Sequence, residues 1–348
     1  MKKILTTLCA VAMLAGCTAG GSKKSSTNTS TKEETAATVM VGTGSVTSVS
    51  NKAKEGSDTA AQFDTTFASV VLEGNVIKYV YFDVAQDKVT YDATGHVTSD
   101  NTASTSKKAL GDKYGMKDKS SIKKEWYEQV EALEKWAIGK TVEEVLTMPT
   151  TQKDEKHTVT ADKDLMTGCT IGVTAFQQAL DKAAKNAVEV KDVASVGSAI
   201  LTEVSGKDAS AEKSGEAKAS STYGVVALDK DGKVVFTQTD EAQNAVKFTT
   251  AGAIDGEAVA VATKGEKKDE YGMKKVSSIG KEWFEQNQAY DEWTVGKTAE
   301  EIADMKVTKN EGGKTVTADK ELMTGCTMGV DSLQKVIATA IATASKLN

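Results

Sequence analysis

Two seven-residue stretches bring together groups that could do chemistry. Asp164-Leu165-Met166-Thr167-Gly168-Cys169-Thr170 recurs 157 residues later as Glu321-Leu322-Met323-Thr324-Gly325-Cys326-Thr327, with identity at the last six positions. Each supplies an acid, two hydroxyls and a glycine, and its context predicts a strand, a glycine turn and then a helix N-terminus. The first amides of a helix are unpaired donors, and the helix dipole favours an anion there. A phosphate is therefore a natural occupant. No lysine follows the glycine, and the Gly-x-x-x-x-Gly-Lys spacing of a nucleoside-triphosphate loop is absent. A threonine hydroxyl placed there could instead be phosphorylated or esterified by a phosphate-bearing cofactor.

These stretches sit inside a larger repeat. From Tyr114 to Val173, 35 of 60 residues are identical to those from Tyr271 to Val330. Weaker likeness links Val46–Ser50 with Leu201–Ser205 and Val70–Asp83 with Val226–Asp240. The expectation is two tandem copies of one domain, 40–190 and 195–348, with little linker. A hairpin is predicted where Val225–Leu228 and Val234–Thr237 flank Asp229-Lys230-Asp231-Gly232. Ile122, Trp126, Leu133 and Trp136 fall near one helical stripe, as do Ile279, Trp283, Tyr290 and Trp293. Thr141 followed by Glu144, and Thr298 by Glu301, are capping boxes that start short helices. Thr158–Thr160 and Thr315–Thr317 read as strands, and a helix carrying Phe176 and Leu180, or Leu333 and Ile337, closes each copy. Helices and strands without strict alternation indicate an α+β fold.

The start of the chain is a different kind of sequence. Lys2 and Lys3 precede an apolar run from Ile4 to Ala15, too short to span a bilayer as a mature helix. It ends in Leu14-Ala15-Gly16-Cys17, which resembles a bacterial lipobox. Residues 1–16 are thus expected to be a signal peptide and Cys17 the lipidated residue. The Ser-, Thr-, Lys- and Glu-rich stretch up to residue 39 buries nothing and reads as a flexible tether. This places the protein at the outer face of a membrane, anchored by lipid and not spanning.

Composition excludes several classes. The formal charge of −6 and pI near 5.3 argue against a nucleic-acid binder, which needs a basic face. Two histidines rule out multi-histidine metal sites. Cys169 and Cys326 occupy one place in two copies, so a disulfide between them would need an intimate symmetric contact. Ser121-Ile122-Lys123-Lys124 and Ser278-Ile279-Gly280-Lys281 fit a Ser-x-x-Lys nucleophile pattern without its partner motifs, and Ser121 reads as a helix cap. His96 and His157 face Ala253 and Lys314 in the other copy, so no shared function uses them. The lysines of 107–124 and 264–275 are expected to be solvated, or to meet an acidic partner or a phosphate. One tryptophan of each pair is expected in the core, and another could wall a planar cofactor.

Asp164-Leu-Met-Thr-Gly-Cys-Thr170 resembles the flavinylation motif of the covalently flavinylated FMN-binding domain family, an acid, two variable residues and then Ser/Thr-Gly-Ala-Ser/Thr. With the lipobox and the duplication, the chain is similar to flavin-carrying lipoproteins of Gram-positive extracellular electron transfer. That resemblance implies one FMN in phosphoester linkage at Thr170 and one at Thr327. It implies that Thr167 and Thr324 support the turn with Gly168 and Gly325, and that Asp164 and Glu321 are read by a magnesium-dependent, FAD-using FMN transferase. It further implies a membrane quinone-linked dehydrogenase system as donor and extracellular acceptors such as ferric iron. The chain would be an electron carrier and not a catalyst. Cys169 and Cys326 depart from the family's alanine, and Glu321 from its aspartate. The competing class is a solute-binding or adhesive surface lipoprotein without cofactor, which has no reason to duplicate Thr-Gly-Cys-Thr.

Overall fold

The computed structural model describes residues 38–54, 57–100 and 103–347. The signal-peptide reading of 1–16, Cys17 and the tether up to residue 37 lie outside the described residues. Three long strands open the described chain, β1 (Val39–Lys54), β2 (Ser57–Glu73) and β3 (Val76–Tyr91). After the two-residue β4 (Ala103–Ser104) come helices α1 (Lys107–Leu110), α2 (Trp126–Ala137) and α3 (Val142–Leu146). The hairpin β5 (Thr150–Gln152) and β6 (Thr158–Thr160), helix α4 (Thr174–Lys185) and β7 (Val188–Val190) follow.

A closely similar order then returns. Strands β8 (Ser195–Lys207), β9 (Gly215–Leu228) and β10 (Val234–Phe248) lead to α5 (Lys264–Lys267), α6 (Trp283–Thr294) and α7 (Ala299–Ala303). The chain continues with β11 (Val307–Lys309), β12 (Thr315–Thr317), α8 (Asp331–Ala342) and β13 (Ser345–Lys346). The architecture is α+β. Among the described residues, no helix is long and apolar enough to cross a membrane.

Two antiparallel sheets carry the molecule, in the orders β3-β2-β1-β7 and β10-β9-β8-β13. Strand period explains their packing, since successive side chains point to opposite faces. In β2, Ala68, Val70 and Leu72 join a core with Leu133, Phe176 and Leu180 from the helices. The alternate residues Ala61 and Phe63 instead meet Ala217, Ala219 and Phe248 of the second sheet. The second sheet mirrors this, with Val226 and Leu228 toward Tyr290, Leu333 and Ile337. The two sheets thus press together through one face each, and each carries helices on the other.

The hairpin expected at Asp229–Gly232 is present, with Asp229 Oδ1 accepting from the Asp231 and Lys233 amides at 2.9 Å each. Its strands are much longer than the apolar runs indicated, because small and hydroxyl residues such as Ala217, Ala219, Ser221, Thr237 and Thr239 are buried along them. The capping boxes at Thr141 and Thr298 form as expected. The tryptophan helix begins later than its stripe suggests. Glu125 caps α2, with Glu128 reaching back to its amide at 2.7 Å, so Ile122 and Ser121 lie before the helix.

One carboxylate pins each of these helices to its sheet. Glu134 Oε1 accepts from the Phe82 amide at 2.6 Å, and Asp291 Oδ2 accepts from the Thr239 amide at 2.9 Å. Burial pushes the Asp291 carboxyl up to about 7.

The two halves share their packing. Tyr91 stacks on Phe248 at 3.8 Å between centroids and 5°, Phe67 meets Tyr223 at 5.1 Å, and the Ser69 and Ser198 hydroxyls bond at 2.5 Å. Strand β4 of the first half pairs with β8 of the second, Ser104 opposite Thr202. The described residues accordingly form one compact unit. Unfolding is expected to be a single cooperative transition. Phe248→Ala empties a buried site at the shared face and should cost about 3–5 kcal/mol. A urea melt checks both statements, and two separate transitions would show that the halves fold independently.

Candidate functional site

The stretch from Asp162 to Val173 is held at both ends before any helix begins. Asp162 Oδ1 accepts from the amides of Asp164 at 3.1 Å and Leu165 at 2.9 Å, which starts a single 3₁₀ turn over Leu165–Thr167. Asp319 does the same for Glu321 and Leu322 at 3.0 Å each. Thr167 Oγ1 donates to the Asp164 carbonyl, and Thr324 Oγ1 to that of Glu321, both at 2.8 Å. At the far end the Val173 amide donates to the Thr158 carbonyl at 2.9 Å, tying the chain to β6. Asp164 and Glu321 are exposed.

Gly168 is not a left-handed turn residue, since its φ is −113°. It is needed because the chain passes close to α2. A Cβ there would lie 2.7 Å from the Ala132 Cβ, and one at Gly325 equally 2.7 Å from that of Ala289. Cys169 and Cys326 are free, buried thiols, and burial pushes both up to about 11. At neutral pH they remain protonated and poorly reactive.

The expected helix N-terminus at the motif is corrected by this geometry. Helix α4 begins at Thr174 and α8 at Asp331, four residues beyond the last motif threonine. The Thr170 amide is not a free donor for an anion. It donates to Gln129 Oε1 at 2.9 Å, and the Thr170 hydroxyl donates to the same oxygen at 3.1 Å. Gln286 Oε1 accepts from the Thr327 amide at 2.9 Å and its hydroxyl at 3.3 Å. Each glutamine is itself fixed. Gln129 Nε2 donates to the Lys124 carbonyl and Ser120 Oγ at 3.1 Å each, and Gln286 Nε2 to the Lys281 carbonyl at 3.0 Å and Ser277 Oγ at 3.1 Å. Gln129 and Gln286 carry no motif of their own in the sequence. Their identity in both copies, three residues after Trp126 and Trp283, was the signal available.

Beside Thr170 opens a cleft of about 590 Å³, within the range that holds a small-molecule ligand. Trp126, Tyr114 and Phe176 give it aromatic walls, and Lys107, Lys153 and Lys156 line it. Trp126 lies 6.3 Å from Tyr114 and 6.2 Å from Phe176. The Lys107 ammonium sits 5.1 Å from the Tyr114 centroid, and Lys153 Nζ donates to the Thr170 carbonyl at 3.1 Å. A hydroxyl, planar walls and cations therefore converge, which suits a group that joins a phosphate to an aromatic ring. Trp126 is both core and wall, whereas Trp136 and Trp293 instead meet Lys140 at 4.7 Å and Lys297 at 4.4 Å.

Two lysines depart from the solvated role expected of their stretches. Lys108 Nζ is 2.6 Å from Glu134, and Lys264 Nζ is 2.7 Å from Glu241, both pairs nearly enclosed. His96 and His157 are exposed and bonded to Asp208 and Asp154. Among the described residues, no cluster of three or more His, Cys, Asp or Glu is placed to hold a metal.

Gln129→Ala leaves the Thr170 amide without its acceptor. We expect a loss of about 1–3 kcal/mol, read from urea denaturation, for a partly buried donor left unpaired. An unchanged midpoint would show that the glutamine does not hold the motif. Comparison of this chain with protein-family models, with curated proteins and with solved structures returned no match.

Proposed function

We propose that Thr170 and Thr327 each carry one FMN through a phosphoester, and that the chain is a lipid-anchored electron carrier. The reading rests chiefly on one observation. In both copies the last motif hydroxyl is held by a fixed glutamine, and at Thr170 it borders a cleft with aromatic walls and lysines. The two copies correspond to tandem FMN-binding-type domains at 40–190 and 195–348, behind a lipidated Cys17 and its tether.

The protein's own residues have separable roles. Before modification Gln129 and Gln286 accept the hydroxyl hydrogen and fix where the oxygen points; once the ester forms that hydrogen is gone, and the bonds from the Thr170 and Thr327 amides hold the chain in place. Lys107 and Lys153, which line the first cleft, would neutralise phosphate charge there, and its walls Trp126, Tyr114 and Phe176 would exclude water from a flat ring. Gly168 and Gly325 let the motif lie against α2 and α6. Exposed Asp164 and Glu321 are available to a modifying enzyme. That enzyme is an FMN transferase consuming FAD: the threonine oxygen bonds to the flavin-side phosphorus, AMP leaves, and the hydroxyl proton is released.

FMN, when bound, supplies one- or two-electron transfer, and the protein positions and tunes it. A covalent bond prevents loss of the cofactor to the medium outside the cell. The carrier would accept electrons from a membrane quinone-linked dehydrogenase system and pass them to extracellular acceptors such as ferric iron. It would have no substrate site of its own and no nucleic-acid partner.

Co-expression with a flavin transferase, followed by intact-mass measurement, tests this. The expected protein is yellow and carries two additions, each one FMN less water. Thr170→Val and Thr327→Val should each remove one. Colourless protein of bare polypeptide mass would place the chain among solute-binding or adhesive surface lipoproteins.

A further inference from the structure

The two threonines have alike cradles but unlike electrostatic surroundings. The half-buried Lys107 lines the cleft beside Thr170, with its ammonium 5.4 Å from the Trp126 centroid, and among the described residues it is in no ion pair. Its counterpart Lys264 lies 5.6 Å from the Trp283 centroid but is bonded to Glu241 Oε2 at 2.7 Å. The preceding acid fixes the register of the two copies here. Asp83 accepts from Ser106 Oγ and the Lys108 amide, and Asp240 from Thr263 Oγ1 and the Gly265 amide. Val84 therefore stands where Glu241 stands, and the first lysine is left unneutralised.

The residues around the motif follow the same trend. Lys153, bonded to the Thr170 carbonyl, corresponds to Asn310, which accepts from the Lys314 amide in its own turn. Lys156 corresponds to Gly313, and Ser48 to Glu203. Thr174 corresponds to Asp331, which takes up Lys335 at 2.6 Å. Acids are present at the first site too. Asp64 lines the cleft and is bonded by the Gln62 and Gln86 amides, and Asp154 is bonded by His157. Its three lysines still outnumber them. At the positions of the second copy that correspond to the lining of the first cleft, the carboxylates Glu203, Glu241, Glu311 and Asp331 outnumber Lys264, Lys314 and Lys335.

We propose, resting on the flavin reading above, that the two sites are redox-inequivalent and that the flavin on Thr170 has the higher reduction potential. Two electrons and one proton, supplied by an external reductant, convert the oxidised ring into a reduced one that carries a negative charge at neutral pH. An unpaired cation in a partly buried cleft favours that charge, and a neutralised one does not. Exposed Lys153 contributes less because salt screens it, so the half-buried Lys107 carries most of the difference. Electrons placed on the protein would collect at Thr170.

Spectroelectrochemical titration of two single-flavin proteins tests this. Thr327→Val keeps only the first flavin and Thr170→Val only the second. At equal ambient potential the reduced-to-oxidised ratio should be at least about tenfold higher on Thr170, which is about 30 mV for a two-electron couple. Glu241→Gln in the Thr170→Val protein should raise the second potential, and Lys107→Gln in the Thr327→Val protein should lower the first. The difference should shrink as salt is added. Coloured proteins with equal or inverted potentials overturn this inference and leave the flavin reading standing. Colourless proteins overturn both.

Discussion

A side-chain amide oxygen sets the direction of each motif threonine. Gln129 Oε1 takes both the amide and the hydroxyl hydrogen of Thr170, while its Nε2 is bonded to the Lys124 carbonyl and Ser120. A glutamine satisfied at both ends of its amide has little freedom to rotate, so the threonine oxygen inherits a fixed position from α2. The helix is fixed in turn by Glu134 on the Phe82 amide, and α6 by Asp291 on the Thr239 amide. Placement thus runs from sheet to helix to glutamine to hydroxyl. Rigid support of this kind is what a cofactor site needs if its geometry is to be reproducible.

The sheet sandwich gives that chain of contacts its foundation. Each sheet is buried on both faces, one against its helices and one against the other sheet. Tyr91 on Phe248 and Phe67 on Tyr223 join the halves through large aromatic surfaces, and β4 crosses to pair with β8. Two sites carried on one compact unit keep a fixed separation, unlike sites on domains joined by a free linker. For the proposed electron carrier this matters, because transfer between centres depends on distance.

Much of the architecture could be read from the sequence. The capping boxes at Thr141 and Thr298, the short strands around Val159 and Val316, and the closing helices were legible because each depends on residues close together in the chain. The true start of α2 was hidden because Glu125 is an uncommon cap and Ile122 prolongs the apolar stripe. The length of β9 and β10 was obscured by Ala, Ser and Thr at positions that are nonetheless buried. The motif threonines were legible from the repeated stretch and its resemblance to a flavinylation motif. Their setting was not, since Gln129 is 41 residues from Thr170. The helix-terminus expectation failed because β6 captures the Val173 amide and delays α4. Electrostatic differences between the copies were likewise invisible until Glu241 was seen to reach Lys264.

The central claim concerns one oxygen in each copy, and it can be examined on protein purified from its own host. Trypsin cuts after Lys163 and Lys182, and after Lys320 and Lys335, so each motif lies in a single peptide, 164–182 or 321–335. Fragmentation mass spectrometry of these two peptides is the most direct measurement. One FMN is expected on each, with fragment masses placing it on Thr170 and Thr327. Unmodified peptides, or FMN on Thr167 or Thr174, would contradict it.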